Sequence, residues 1–296
     1  MEKVIVTGGA GFIGSHIVDA LILEGHEVHV IDNLCAGKKE NVNPKAILHI
    51  LDIRDKETMA PIFDGVKYVF HLAALPVVQY SIENPIETNE VNVGGLLNIL
   101  ELSRLNGVKR LIFASSCAVY GEQVIIPFVE DKPVFPISPY ATQKYIGEIY
   151  LKLYSQIYHL ETVSLRYFNV YGNRQSTNGA YPLVIARFLE LKKENKPLLI
   201  TGDGENTRDY VNVKDVVHAN ILAMKNTKVG SGEVINIGTG IQYSVNSIAK
   251  LIGGEISYIR ARVELKNAEA DIKKAKELLD WSPEVALEDA ILELKK

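Results

Sequence analysis

The stretch 3-KVIVTGGAGFIGSH-16 decides the fold. Its first residues, 3-KVIVTG-8, form an apolar run of β-branched residues, as in a strand buried on both faces. Gly8, Gly11 and Gly14 follow at intervals of three. Within 14-GSHIVDALILEG-25, Ile17, Val18, Leu21 and Ile22 then recur at helical spacing, and Gly25 can end the helix. A strand that turns sharply into a helix through glycines is suited to holding a pyrophosphate. One glycine permits the turn, one lets the backbone approach the ligand, and one lets helix pack on strand. The free N–H groups of the helix N-terminus complete an anion site. A glycine-rich turn without any ligand has the same local pattern, so the surrounding chain has to decide.

Further strand-like runs lie at 27-EVHVID-32, 46-AILHILD-52, 67-KYVFHLAA-74, 108-VKRLIFASS-116 and 162-TVSLRYFN-169. Helix-like segments at 89–107 and 140–159 alternate with them. This β-α-β alternation predicts an α/β fold, a Rossmann-type doubly wound parallel sheet with helices on both faces. After about residue 170 the chain turns to Gly-, Asn- and Tyr-rich pieces such as 171-YGNRQSTNGAYP-182. The expected division is a nucleotide-binding domain over 1–170 and a smaller lobe over 171–296, set above the carboxyl edge of the sheet, with later segments at about 205–240 interleaved.

Composition narrows the class. The chain has 296 residues, 47% hydrophobic and 23% charged, an ordinary globular balance. A net charge of −4 with Lys and Arg spread along the chain gives no nucleic-acid footprint. No apolar run reaches the length of a membrane span, and the N-terminus has no signal-peptide layout. Cys35 and Cys117 make neither a disulfide framework nor a metal site, so the expectation is a cytoplasmic protein without a bound metal.

Two further clusters bear on chemistry. Asp32 ends the second strand 24 residues after Gly8, close to the offset of roughly 20 expected for an acid on an adenosine ribose. Such an acid favours NAD, because it would repel the 2′-phosphate of NADP. Asp52 can accept from an adenine amino group or cap the helix that follows it. Ser116 closes a strand, and Tyr140 and Lys144 stand four apart on a predicted helix, sharing a face. A lysine ammonium beside a phenol favours the phenolate, which would make Tyr140 a usable base. Ser116 can reach the same substrate oxygen, or merely satisfy backbone at the strand end.

Together these motifs resemble the extended short-chain dehydrogenase/reductases, in particular the NAD-dependent nucleotide-sugar epimerase/dehydratase group. The resemblance rests on 7-TGGAGFIGSH-16, 31-IDNL-34, 71-HLAA-74, 115-SSCAVYG-121, 139-PYATQKYIGE-148, 165-LRYFNVYG-172, 202-GDGENTRDYV-211 and 236-NIGTG-240, and it spans essentially the whole chain. It implies that Gly8, Gly11, Phe12, Ile13 and Gly14 meet the pyrophosphate of NAD. It implies that Asp32, Asn33 and Leu34 surround the adenosine ribose, and that Asp52 and Ile53 meet the adenine. Leu72, Ala73, Ala74, Leu75, Asn92 and Ser115 would line the cofactor, Tyr140 and Lys144 its nicotinamide ribose, and Phe168 the nicotinamide. Asn169, Arg208 and an arginine at or near Arg262, Arg260 being the other choice, would hold the diphosphate of a UDP-sugar. Ser116 and Tyr140 would touch the sugar. Relatives often pair as homodimers through a four-helix bundle, which here would use the helices at 89–107 and 140–159.

The resemblance also separates reactions. Dehydratases carry a carboxylate just after the catalytic serine or threonine, and decarboxylating relatives usually carry Glu there. This chain has Cys117 and Ala118. Cys117 fits a small wall residue better than a nucleophile. The expectation is therefore a UDP-hexose 4-epimerase, first of UDP-glucose and UDP-galactose, acting through a 4-keto sugar with Tyr140 as base. UDP-N-acetylhexosamine or UDP-uronate epimerisation, a lyase with an unusual acid, and a non-catalytic NAD-sensing protein are the alternatives. Asn212 replaces the usual His of the family's RDYVHV, and Ala268 stands where a bulky gate narrows some epimerases, which suggests room for N-acetyl groups.

Overall fold

The computed structural model describes residues 1–123, 125–176, 183–260 and 266–296. Its strands, in chain order, are β1 (Lys3–Thr7), β2 (Glu27–Asp32), β3 (Ile47–Ile50), β4 (Val66–His71), β5 (Arg110–Ser116), β6 (Glu161–Tyr167), β7 (Asn169–Tyr171), β8 (Leu198–Thr201), β9 (Thr207–Asn212), β10 (Ser231–Ile237), β11 (Gln242–Ser244) and β12 (Ile256–Ile259). Seven of them form one sheet in the order β10-β6-β5-β4-β1-β2-β3, with every pairing parallel. The chain order reverses direction at β1, between β2 and β4. In open parallel sheets such a reversal leaves a crevice outside the carboxyl ends of the strands.

Period-two alternation gives the sheet two buried faces. On one, Val4 and Val6 of β1 pack with Ile17, Val18 and Leu21 of the helix Phe12–Leu23, with the helix Val213–Lys225, and with the fully buried Trp281. On the other, Ile5 packs with Leu96, Ile99 and Leu100 of the helix Leu96–Leu105 and with Leu151 and Tyr154 of the helix Pro139–Tyr158. The result is the expected three-layer α/β arrangement. Arg110 at the start of β5 fastens the layers together. Its guanidinium pairs with Glu161 and donates to the carbonyls of Ala223, Met224, Asn226 and Val229. A cation there satisfies the open C-terminal end of the helix Val213–Lys225.

Some boundaries differ from expectation. β3 is shorter than 46–52 and, being an edge strand, leaves Ile47 and Ile50 exposed rather than buried on both faces. The helix expected at 89–107 is longer and irregular: an α-turn Pro85–Asn89, a π-helical segment Glu90–Gly95, then Leu96–Leu105. β10 is a seventh strand of the main sheet, supplied from the later part of the chain.

The remaining strands form two small sheets, β11-β9-β7 and β12-β8. Asp209 of β9 ties the first to its surroundings. Its fully buried carboxylate accepts from the N–H groups of Thr239, Gly240 and Ala270 and from the Thr239 hydroxyl, at 2.7–3.1 Å. The segment 171–182 expected as a loop is described only to residue 176.

Candidate active site

At the carboxyl ends of β1, β4 and β5 three loops come together. After β1, Gly8 adopts φ +71°, and a Cβ there would lie 2.7 Å from the Ala73 nitrogen. The loop after β4 thus sits against the glycine turn, where only a bare Cα fits. A Cβ on Gly14 would lie 2.2 Å from the Gly8 carbonyl oxygen, so the turn cannot close around a larger residue. Gly11 caps the helix Phe12–Leu23 without a side-chain hydrogen bond. The N–H groups of Phe12, Ile13 and Gly14 open that helix and have no carbonyl four residues back to bond. This cradle fits a pyrophosphate in shape and in polarity.

The edge of the cradle is fixed by polar side chains. The Thr7 hydroxyl accepts the Ala73 N–H at 3.2 Å and shares a hydrogen bond of 2.7 Å with Nδ1 of His71. Burial pushes His71 down to about 3, so the ring stays neutral. Asp32 is buried, and its carboxylate accepts from the N–H groups of Ala10 and Leu34 at 3.0 and 2.8 Å. Asp52 is engaged by Arg54 through two guanidinium nitrogens and by the Asn33 amide. Arg54 holds its carboxyl down to about 2. Asp52 does not cap the following helix, because Asp55 does so by accepting from Thr58.

Asn92, in the π-helical segment, exchanges hydrogen bonds with both backbone groups of Leu75 at 2.8 and 3.1 Å. Its amide also donates to Gln143 at 2.7 Å, and Gln143 donates to Thr88. Asn92 therefore fixes the loop after β4 to the helix Pro139–Tyr158, a role its expected place beside the cofactor did not reveal.

Ser116, Tyr140 and Lys144 come together. Ser138 caps the helix Pro139–Tyr158 by accepting from Ala141, which puts Tyr140 in the first turn. The Ser116 hydroxyl accepts the Ala118 N–H at 3.1 Å and hydrogen-bonds the Tyr140 oxygen. The backbone role expected of Ser116 is present. Lys144 differs from expectation. Its Nζ donates to the Ala114 carbonyl at 2.7 Å and lies 5.8 Å from the centre of the Tyr140 ring. Burial pushes the half-buried Tyr140 up to about 12, against the pull of the Ser116 hydrogen bond. In the folded chain alone, Lys144 does not lower the phenol. Burial also brings Lys144 itself down to about 8, although Glu148 pulls the other way.

Beside Ser116, burial raises the Cys117 thiol to about 12. It packs as an inert wall against a cluster of Val119, Tyr120, Phe128, Phe168, Ala268 and Ala270. Phe168 is buried in this cluster, 6.3 Å from the ring of Phe128. Ala268 is only 2% exposed and packs in this cluster. Ser115, expected beside the cofactor, is buried, and its hydroxyl donates to Glu148. Asn169 donates to the Asp209 carbonyl at 3.3 Å, and Arg208 lies beside it on β9, donating to the carbonyls of Thr207 and Lys266. Arg260 is exposed after the end of β12, and Arg262 lies outside the described residues. Asn212, in place of His, caps the helix Val213–Lys225 by accepting from Lys214 at 2.9 Å. No cluster of metal-ligating side chains occurs among the described residues.

An anion cradle at a sheet's switch point, one strand from a Tyr–Lys–Ser group, defines a dinucleotide-dependent protein of the short-chain dehydrogenase/reductase type. Residues 4–238 match the NAD dependent epimerase/dehydratase family, and the chain belongs to it. A UDP-glucose 4-epimerase of Thermotoga maritima, solved with UDP-glucose, is 44% identical over 98% of this chain and 96% of its own, at a TM-score of 0.94. A UDP-N-acetylglucosamine 4-epimerase of Methanobrevibacter ruminantium is 37% identical over 99% and 97%, at 0.95. The UDP-glucose 4-epimerase of Mycolicibacterium smegmatis is 37% identical over 98% of this chain and 96% of its own.

Lys144 allows a stability test. Its folded pKa of about 8 lies below the ordinary 10.5, so its burial opposes folding wherever the amine is charged. The cost is full below pH 8 and fades as pH rises toward 10.5. At neutral pH a shift of this size is equivalent to about 3 kcal/mol. Lys144→Met should raise the urea midpoint at pH 7, and the gain should shrink by pH 10. A variant less stable than wild type at pH 7 would contradict this account of the buried charge.

Proposed function

We propose that this protein is an NAD-dependent 4-epimerase of a UDP-hexose, with UDP-glucose and UDP-galactose as its first pair of substrates. The observation that carries this reading is the Ser116–Tyr140 contact without a carboxylate at 117 or 118. NAD, when bound, supplies the reversible two-electron oxidation of the sugar's 4-hydroxyl. Tyr140 takes the hydroxyl proton and later returns it, while Ser116 donates to the same oxygen. With its phenol at about 12, Tyr140 becomes an effective base only when a cation settles beside it. Next to these groups, the Cys117 thiol and the Ala118 methyl cannot shuttle the protons that elimination of water needs, so the ketone is reduced again.

Glycines 8, 11 and 14 with Phe12 and Ile13 hold the cofactor pyrophosphate, Asp32 and Asn33 the ribose, and the loop Leu72–Leu75 the wall beside them. Lys144 reaches the nicotinamide ribose. Asn169 and Arg208, on adjoining strands of the small sheet, anchor the substrate diphosphate, and an arginine fork suits such a group. The part of the chain after residue 170, apart from the segments at about 205–240 that join the main sheet, is on this reading the substrate-binding part. Anchoring the diphosphate while leaving the sugar free lets the keto sugar turn its other face.

The same reading includes a cytoplasmic homodimer. Ile149, Leu153 and Ile157 recur every four residues on the helix Pro139–Tyr158 and are 40–59% exposed, with Leu105 also exposed at the end of the partner helix. An apolar stripe of this kind supports helix-to-helix pairing of two copies. Leu153→Glu should convert the dimer to a monomer in light scattering. A variant that stays dimeric, or a wild type that is monomeric at micromolar concentration, contradicts the stripe as interface.

For the chemistry, Tyr140→Phe loaded with NAD should lose about 10²–10⁴-fold in kcat on UDP-galactose while KM changes little. Turnover equal to wild type would remove Tyr140 as the base.

A further inference from the structure

Three consecutive residues of β5 each meet one residue on a single face of the helix Pro139–Tyr158. The Ala114 carbonyl accepts from Lys144, the Ser115 hydroxyl donates to Glu148, and the Ser116 hydroxyl meets Tyr140. Tyr140, Lys144 and Glu148 are four apart, so the helix presents them in one row. The Ser115–Glu148 bond is 2.5 Å long, short as expected for a hydroxyl donating to a carboxylate. Glu148 is held in turn by Arg166 of β6, through two bonds of 2.8 and 2.7 Å. Both side chains of this pair are only 3% exposed. The guanidinium carbon of Arg166 lies 4.6 Å from the centre of the Tyr120 ring, and the Tyr120 hydroxyl donates to Asn236 of β10.

We propose that Ser115, Glu148 and Arg166 form a positioning unit that fixes the rotation and height of the helix Pro139–Tyr158 against β5, and thereby sets the contact between Ser116 and Tyr140. The proposal gives Ser115 a task other than lining the cofactor, and it rests on the reading of Tyr140 as the base. Ser115 and Ser116 are consecutive in β5 and share one peptide link. Holding one hydroxyl on a rigid, buried carboxylate fixes the backbone from which the other projects. A bidentate Arg–carboxylate pair permits little rotation, so the carboxylate is a firm reference point. None of the three has to touch substrate, and each acts through Ser116 and Tyr140. A buried Arg–Glu pair is a doubtful source of net stability, so geometric specification is the more informative explanation for its presence beside the site.

The test uses the NAD-loaded enzyme and two readouts. The first is the tyrosinate absorbance of Tyr140, taken as the difference from Tyr140→Phe and titrated without substrate. The second is kcat and KM for UDP-galactose. Ser115→Ala leaves the Glu148–Arg166 pair intact and should stay folded with its NAD content unchanged. It should titrate Tyr140 at least about half a pH unit higher, because the Ser116 hydrogen bond that favours phenolate is weakened. Its kcat at pH 7 should fall about tenfold, with KM within about twofold. Ser115→Thr, which keeps the hydroxyl, should restore both. A Ser115→Ala enzyme that titrates and turns over like wild type overturns the proposal, as does one whose only defect is lost NAD. Should the wild type turn over no UDP-sugar, the functional reading fails, and the Tyr140 titration alone still decides the positioning role.

Discussion

The Lys144 ammonium is held at 5% exposure beneath the helix that carries Tyr140, and removing a charge from water is among the costliest things a fold can do. Its neighbours can be understood as a response to that cost. The Ala114 carbonyl accepts one of its protons, the face of Phe113 lies 4.8 Å away, and Glu148 stands one turn further along the helix. Glu148 is itself buried and needs a partner, which is Arg166. Arg166 packs on Tyr120, and Tyr120 is bonded to Asn236. One buried charge next to the site thus draws in β5, β6 and β10, neighbouring strands of the same sheet.

A second constraint is steric and acts from the opposite side. The glycine turn after β1 and the loop after β4 approach so closely that a single Cβ on Gly8 would meet the Ala73 backbone. Thr7 and His71 pin these two strand ends to each other. Asn92 and Gln143 then pin the loop after β4 to the helix Pro139–Tyr158. The glycine cradle and the Ser116–Tyr140–Lys144 group are therefore linked by hydrogen bonds between rigid elements. Rates of group transfer depend steeply on such placement, because the reacting atoms must be held close and aligned.

Much of this was legible in the sequence because it is local. A strand, three glycines and an amphipathic helix follow one another within the first 25 residues, and the spacing of Tyr140 and Lys144 fixes a shared helix face. The places of β1, β2, β4, β5 and β6 followed from apolar runs; the length and burial of β3 did not, because an edge strand carries the same residues as a buried one, and β10 gave no such signal. What remained hidden depends on partners far along the chain. Ser115 and Glu148 are 33 residues apart, and Asn92 and Gln143 are 51 apart. Nothing in the pattern of either segment says that these side chains meet. The upward shift of Tyr140 was hidden for a related reason. Spacing brings an ammonium near a phenol, but burial penalises both charges, and only packing shows which influence dominates.

The central claim is that the sugar is oxidised at carbon 4 and then reduced again at the same carbon. The most direct measurement follows UDP-glucose labelled with deuterium at carbon 4 through the NAD-loaded enzyme in ordinary water, with products resolved by NMR. The account predicts UDP-galactose with the deuterium still on carbon 4. A 4-keto-6-deoxy sugar with the deuterium moved to carbon 6 would contradict it, and would mean that a proton-shuttling group other than a carboxylate at positions 117 and 118 carries out dehydration.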